Sequence, residues 1–149
     1  MCCILDQRHV KHIRYGLFKS DYNGCSWVAA YNALCLLKHD YEPQKIARHF
    51  EKYLPLWGLL GMPFSSFLKA LKGLDIKFKR VSVASHEAKT ADACVLWYRK
   101  QNLKAHYCAI QYIDDVGVFR YLNPTAKAQP LREFLNSVGA VESEIILFE

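Results

Sequence analysis

Asn23-Gly24-Cys25-Ser26-Trp27-Val28-Ala29-Ala30-Tyr31-Asn32-Ala33-Leu34-Cys35-Leu36-Leu37 is the stretch on which the reading of this chain turns. From 26 to 37 only Ser26 and Asn32 are polar. No face is left for water, so the helix these residues predict is central and buried. Upstream, Ser20-Asp21-Tyr22-Asn23-Gly24 is rich in capping and turn residues, which starts the helix at or beside Cys25.

Working outward, Pro43 opens a second helix that buries Ile46, Ala47 and Phe50. A third is predicted from Pro63 to Lys72, with Phe64, Phe67, Leu68 and Leu71 at helical spacing and Gly73 as its stop. From Asp75 the pattern changes to short runs rich in Val, Ile, Tyr and Phe, predicting strands over 76–83, 93–99, 104–113, 117–122 and 143–148. Asp114-Asp115-Val116-Gly117 reads as a hairpin turn, and Leu131, Phe134, Leu135 and Val138 as a short helix before the last strand. Helices first and antiparallel strands afterwards give an α+β fold.

With 149 residues, of which 52% are hydrophobic and 23% charged, the chain fits one domain spanning 1–149 with a generous core, and intrinsic disorder is excluded. The formal charge of +6 is spread over separated residues such as Lys69, Lys72, Lys77, Lys79 and Arg80, as on solvated faces, so no nucleic-acid partner is expected. Lys11, His12 and Arg14 interrupt any signal-peptide core. The apolar run from Tyr53 to Phe64 is too short and too broken by Pro and Gly to span a membrane, and reads as a loop. Six cysteines without a CxxC pair read as free thiols, and the expected location is cytoplasmic. Cys2, Cys3, His9 and His12 are zinc-ligand types without finger spacing at a chain end expected to fray, so neither metal nor other cofactor is expected.

A cysteine attacks as thiolate, and a helix N-terminus beside a histidine lowers its pKa. Cys25 is the cysteine so placed. Cys35 sits within the apolar helix, Cys94 and Cys108 within strands, and Cys2 and Cys3 at the terminus, where a thiol acts as a small hydrophobe or a frayed end. His106 stands at the start of the strand Ala105-His106-Tyr107-Cys108-Ala109-Ile110, whose hairpin partner ends at Leu122-Asn123-Pro124. An antiparallel hairpin brings those ends together, so Asn123 is the candidate to orient His106. His9, His12, His39, His49 and His86 read as surface residues.

The stretch around Cys25, the strand around His106, Leu122-Asn123-Pro124 and Ala93-Cys94-Val95-Leu96-Trp97 together resemble the papain-like fold, and most closely the bacteriocin-processing, double-glycine leader peptidases and their stand-alone relatives. The resemblance implies the buried helix packed on a C-terminal antiparallel sheet. It also implies a cysteine peptidase that cleaves a peptide or protein substrate through a thioester on Cys25, with His106 as general base and acid and Asn123 where the family usually has Asp. A transporter partner is implied by the same analogy. Where the family has an oxyanion-hole Gln this chain has Lys19, and where it has Gly after the cysteine this chain has Ser26. Asn23, and after it Lys19, are the substitutes considered for the missing oxyanion donor. A papain-like acyltransferase, or a degenerate domain that only grips a peptide or leader, are the alternatives.

Overall fold

In the computed structural model, which describes residues 3–123 and 126–149, the first described residues form a strap along α2 (Cys25–Leu36). Ile4 exchanges two hydrogen bonds with Asn32, its N–H donating to Oδ1 at 2.6 Å and its carbonyl accepting from Nδ2 at 2.8 Å. A 3-10 turn over Gln7–Val10 follows, capped by the Asp6 carboxylate, which accepts the Arg8 N–H at 2.9 Å. Cys3 lies against Cys35, whose thiol hydrogen bond lowers Cys3 to about 7. Cys2 and Pro124 lie outside the described residues.

Next come a short hairpin, β1 (Arg14–Tyr15) and β2 (Phe18–Lys19), and a single helical turn, α1 (Ser20–Asn23). The sequence pattern over these residues predicts none of them, because two-residue strands carry too little periodicity. The apolar helix α2 is buried along nearly its whole length. α3 (Pro43–Glu51) and α4 (Phe64–Gly73) occupy the predicted places. β3 is Phe78–Val81, shorter than the predicted run, which at its start is held back because the Ile76 N–H still donates to the Leu71 carbonyl of α4. α5 (Glu87–Thr90) is a further short helix, and β4 (Ala93–Lys100), β5 (Ala105–Ile113) and β6 (Val118–Leu122) follow. The β5–β6 turn closes with the Gly117 N–H on the Ile113 carbonyl at 2.9 Å. β7 (Ala126–Gln129), α6 (Leu131–Ser137) and β8 (Ala140–Phe148) complete the chain.

Six strands form one antiparallel sheet in the order β3-β8-β4-β5-β6-β7. Its central strand β4 is buried from Ala93 to Tyr98 because both faces are covered. Alternation sends Ala93, Val95 and Trp97, with Tyr107, Ala109, Ile146 and Phe148, into the core that contains α2. Cys94, Leu96 and Tyr98, with Cys108, Ile110, Ile145 and Leu147, enter a second core that holds Ala88 of α5 and Phe134 of α6. Tyr121 and Phe134 stack there with ring centroids 3.8 Å apart. The α2 core is closed by Phe67 of α4, stacked 4.6 Å from Tyr107.

His49 departs from its expected surface place. It is half-buried, with Nε2 2.8 Å from the Ala70 carbonyl and its ring beside Tyr53 and Phe50, and so ties α3 to α4.

Candidate active site

α2 begins at Cys25 with Gly24 as its cap, so the Cys25 side chain stands where the first-turn N–H groups lack intrahelical acceptors. The thiol is half-buried. Burial alone would raise its pKa. The facing His106 imidazole, its hydrogen bond to the sulfur, and the N–H groups of Tyr107 and Ser26 outweigh burial and hold the thiol below its ordinary value. Tyr107 can make this contact because β5 pairs with β6 only from Ala109↔Leu122 onward. Two residues earlier, the strand is free of that ladder and its N–H reaches the sulfur.

His106 is the cross-strand neighbour of Tyr98, with rings 5.6 Å apart, while Tyr107 turns into the α2 core. Burial disfavours the charged imidazole, but the Cys25 charge and hydrogen bond and the Asn123 carbonyl together raise its pKa, against a smaller opposing effect of Lys100. Cys25 and His106 thus shift in opposite directions, as expected for a thiolate and imidazolium pair.

Asn123 meets His106 through its main chain. The His106 Nε2 lies 3.4 Å from the Asn123 carbonyl. A carbonyl only accepts, so Nε2 carries a proton and Nδ1 is left for the sulfur. The Asn123 side chain points to Gln7 instead: Oδ1 accepts the Gln7 N–H at 3.1 Å and Nδ2 donates to the Gln7 Oε1 at 3.0 Å. Asn123 is buried, with φ 109°, beyond the left-handed α region that Asn visits most readily, so the surrounding structure must hold it there. The sequence pattern places His106 and Asn123 together but carries no signal for Gln7.

The oxyanion candidates separate. Asn23 Nδ2 gives its hydrogens to the Tyr15 carbonyl at 3.2 Å and the Gly58 carbonyl at 3.0 Å. Its amide is therefore committed to holding the loop, contrary to its expected availability. Lys19 is exposed at the end of β2, just before α1. Ser26, which follows the cysteine, is buried and its hydroxyl lies 2.9 Å from Tyr15 Oη. Among the described residues no cluster of His, Cys, Asp or Glu could hold a metal ion.

The loop expected over 54–64 contains a 3-10 turn, Pro55–Gly58, and is joined to the cysteine-bearing segment. Besides the Asn23 bond, Leu17 N–H donates to the Trp57 carbonyl at 3.0 Å and Tyr22 Oη to the Leu59 carbonyl at 3.3 Å. Leu56 and Trp57 both have positive φ, 49° and 52°, a strained choice for large residues, and both point to solvent. Gly16, with φ +66°, lets the Trp57 carbonyl approach so closely that an added Cβ would lie 2.0 Å from its oxygen. Gly16→Ala should therefore lower stability by about 1–3 kcal/mol, read by urea unfolding, through displacement of this loop.

No protein-family model and no curated protein matches the chain. Among solved structures, it is similar to the peptidase domain of Streptococcus ComA, a bifunctional ABC transporter involved in a quorum-sensing pathway. The TM-score is 0.60 at 12% identity, over 87% of this chain and 94% of that one. No described helix is long and apolar enough to cross a membrane. At this identity the likeness is one of fold: the chain has the α+β, papain-like architecture of a peptidase domain, with a buried central helix packed on an antiparallel sheet.

Proposed function

We propose that residues 1–149 form a single cysteine peptidase domain that hydrolyses a peptide bond through a thioester on Cys25. The observation that carries this reading is the Cys25 thiol at the start of α2, facing a His106 whose Nε2 is held by the Asn123 carbonyl. The Cys25 thiolate attacks the peptide carbonyl carbon. As the C–N bond breaks, the His106 imidazolium gives its proton to the leaving amine, and the thioester remains. Water then attacks the thioester with His106 taking its proton, releasing the carboxylic product and restoring the pair.

The developing oxyanion is stabilised by the Cys25 N–H and, as second donor, the Lys19 ammonium, since Asn23 is engaged elsewhere. The exposed Leu56, Trp57, Leu59 and Leu60, with Leu17 and Tyr22, form an apolar margin beside this segment, which suits one wall of a peptide groove. The substrate is a peptide or protein, and a transporter is the partner suggested by the ComA likeness. One observation favours a second reading, a domain that only binds a peptide: the side chain at position 19 is Lys rather than the Gln of the resembled family.

The test is a peptide library incubated with the wild type and with Cys25→Ala, with products and protein mass followed by mass spectrometry. Cleavage and a trapped acyl adduct on Cys25, both absent from Cys25→Ala, are expected. Peptide binding by both proteins, with neither cleavage nor adduct, would replace the peptidase with the binder. An adduct discharged onto an added amine in preference to water would identify an acyltransferase.

A further inference from the structure

Gln7 joins two parts of the molecule, neither adjacent to it in sequence. Its Nε2 donates to the carbonyls of Ser20 and Asp21, each at 3.1 Å, in the turn that runs into Gly24 and Cys25. Its Oε1 accepts the Asn123 Nδ2 at 3.0 Å, and its own N–H donates to Asn123 Oδ1 at 3.1 Å. Both polar atoms of the Asn123 side-chain amide are thus partnered by one residue. Asn123 has a φ of 109°, which its neighbours must hold, and its carbonyl is the group that faces His106 Nε2. The strap that carries Gln7 is itself fixed to α2 by Ile4 on Asn32 and stiffened locally by the Asp6 cap of the 3-10 turn. Asn32 also donates to the Leu122 carbonyl at 3.2 Å, so the residue before Asn123 is tied to the same strap and to α2.

We propose that Gln7 is a positioning residue for His106: it clamps Asn123 to the cysteine-bearing turn and so sets the carbonyl that selects the histidine tautomer. This deepens the peptidase reading and rests on it for its catalytic meaning, while the link from Gln7 to the His106 ring is testable without any substrate. A glutamine suits the place because it donates and accepts at once. Glutamate keeps the acceptor toward Asn123 but meets the Ser20 and Asp21 carbonyls with a second acceptor, and alanine removes both contacts.

The titratable groups facing His106 are Cys25 from α2 and Lys100 and Tyr98 from β4. Those beside Gln7 are Asp6, Arg8 and Asp21, with Asp6 and Arg8 paired to each other.

The test compares wild type, Gln7→Ala and Gln7→Glu by two readouts: the pH profile of Cys25 labelling with iodoacetamide, and the His106 ring nitrogen shifts in NMR across the same pH range. Urea unfolding confirms that each variant is folded. In both variants the labelling midpoint is expected to rise by about half a unit or more, about threefold in rate at pH values below the midpoint, with a mixture of ring tautomers replacing the Nε2–H form once the ring is neutral. A merely structural Gln7 would lower stability and leave both readouts unmoved, and that result in folded protein overturns the proposal. If wild-type Cys25 labels as an ordinary thiol, the peptidase reading fails and the ring shifts alone decide: a tautomer unchanged by Gln7→Ala and by Gln7→Glu rejects the clamp, and a changed one upholds it. Should Gln7→Ala not fold, Gln7→Glu, which retains the Asn123 contact, carries the comparison.

Discussion

With His106 replaced by alanine, iodoacetamide labelling of Cys25 near pH 6 is expected to fall about tenfold or more, and the labelling midpoint to move from below the ordinary thiol range to above it. The sign follows from what acts on the sulfur. Burial raises the thiol pKa, and the His106 charge and hydrogen bond, helped by the Tyr107 and Ser26 N–H groups, more than reverse it. A lowered pKa keeps thiolate present as pH falls, whereas His106→Ala leaves burial opposed only by the two N–H groups. An ordinary thiol near pKa about 8.5 is about 0.3% ionised at pH 6, so each unit by which the pair lowers the thiol pKa gives about tenfold more thiolate there. Part of that gain is cancelled because a low-pKa thiolate is a weaker nucleophile, which leaves the roughly tenfold figure. The upper edge of the window follows from His106, whose pKa is raised by Cys25 and the Asn123 carbonyl against burial. The ion pair therefore persists between the lowered thiol pKa at its acid edge and the raised histidine pKa at its alkaline edge. Superimposable pH profiles for wild type and His106→Ala would show that no such pair exists.

Trp27→Ala is expected to lower stability by about 3–5 kcal/mol, which approaches the whole net stability of a marginal domain. Trp27 is fully buried two residues after the candidate nucleophile. Its Nε1 donates to Ser20 Oγ at 3.0 Å, and that hydroxyl donates to the Ile13 carbonyl at 2.6 Å. The substitution thus opens a cavity and removes a bond from the turn that leads into Cys25. Trp27→Phe keeps most of the ring volume and loses the indole N–H, for an expected cost of about 1–2 kcal/mol. Urea unfolding of the two variants separates the contributions. A loss under about 1 kcal/mol for Trp27→Ala would place Trp27 outside the cooperative core.

What could be read from the sequence, and what could not, divides along the range of the interactions. The run from Ser26 to Leu37 announces a buried helix because apolarity on all sides has one structural meaning, and α2 ends within a residue of that reading. The five strand runs of the second half are visible through Val, Ile, Tyr and Phe. Their alternation, however, is blurred because the sheet is covered on both faces, which also hides α5 as an element of the second core. The ends of β3 and β8 shift by two or three residues, since pairing with neighbours rather than propensity decides where a strand stops. β1, β2 and α1 escape notice because their hydrogen bonds, not their composition, make them.

The candidate site divides in the same way. Local chemistry determined that a cysteine stands at a helix start and that a hairpin brings a histidine to the end of the partner strand, for helix capping and hairpin register are short-range rules. Asn32, polar inside an apolar helix, finds its partners in the main chain of Ile4 and Leu122, which no local rule names. Only the tertiary structure decided that Asn123 serves His106 with its carbonyl while its amide turns to Gln7, that Asn23 is consumed by the Tyr15 and Gly58 carbonyls, and that His49 is half-buried. In each case the deciding partner is a main-chain group, or a glutamine 116 positions away in sequence. Every residue carries the same main-chain groups, so the identity of a residue says nothing about which carbonyl or amide the folded chain will bring to it.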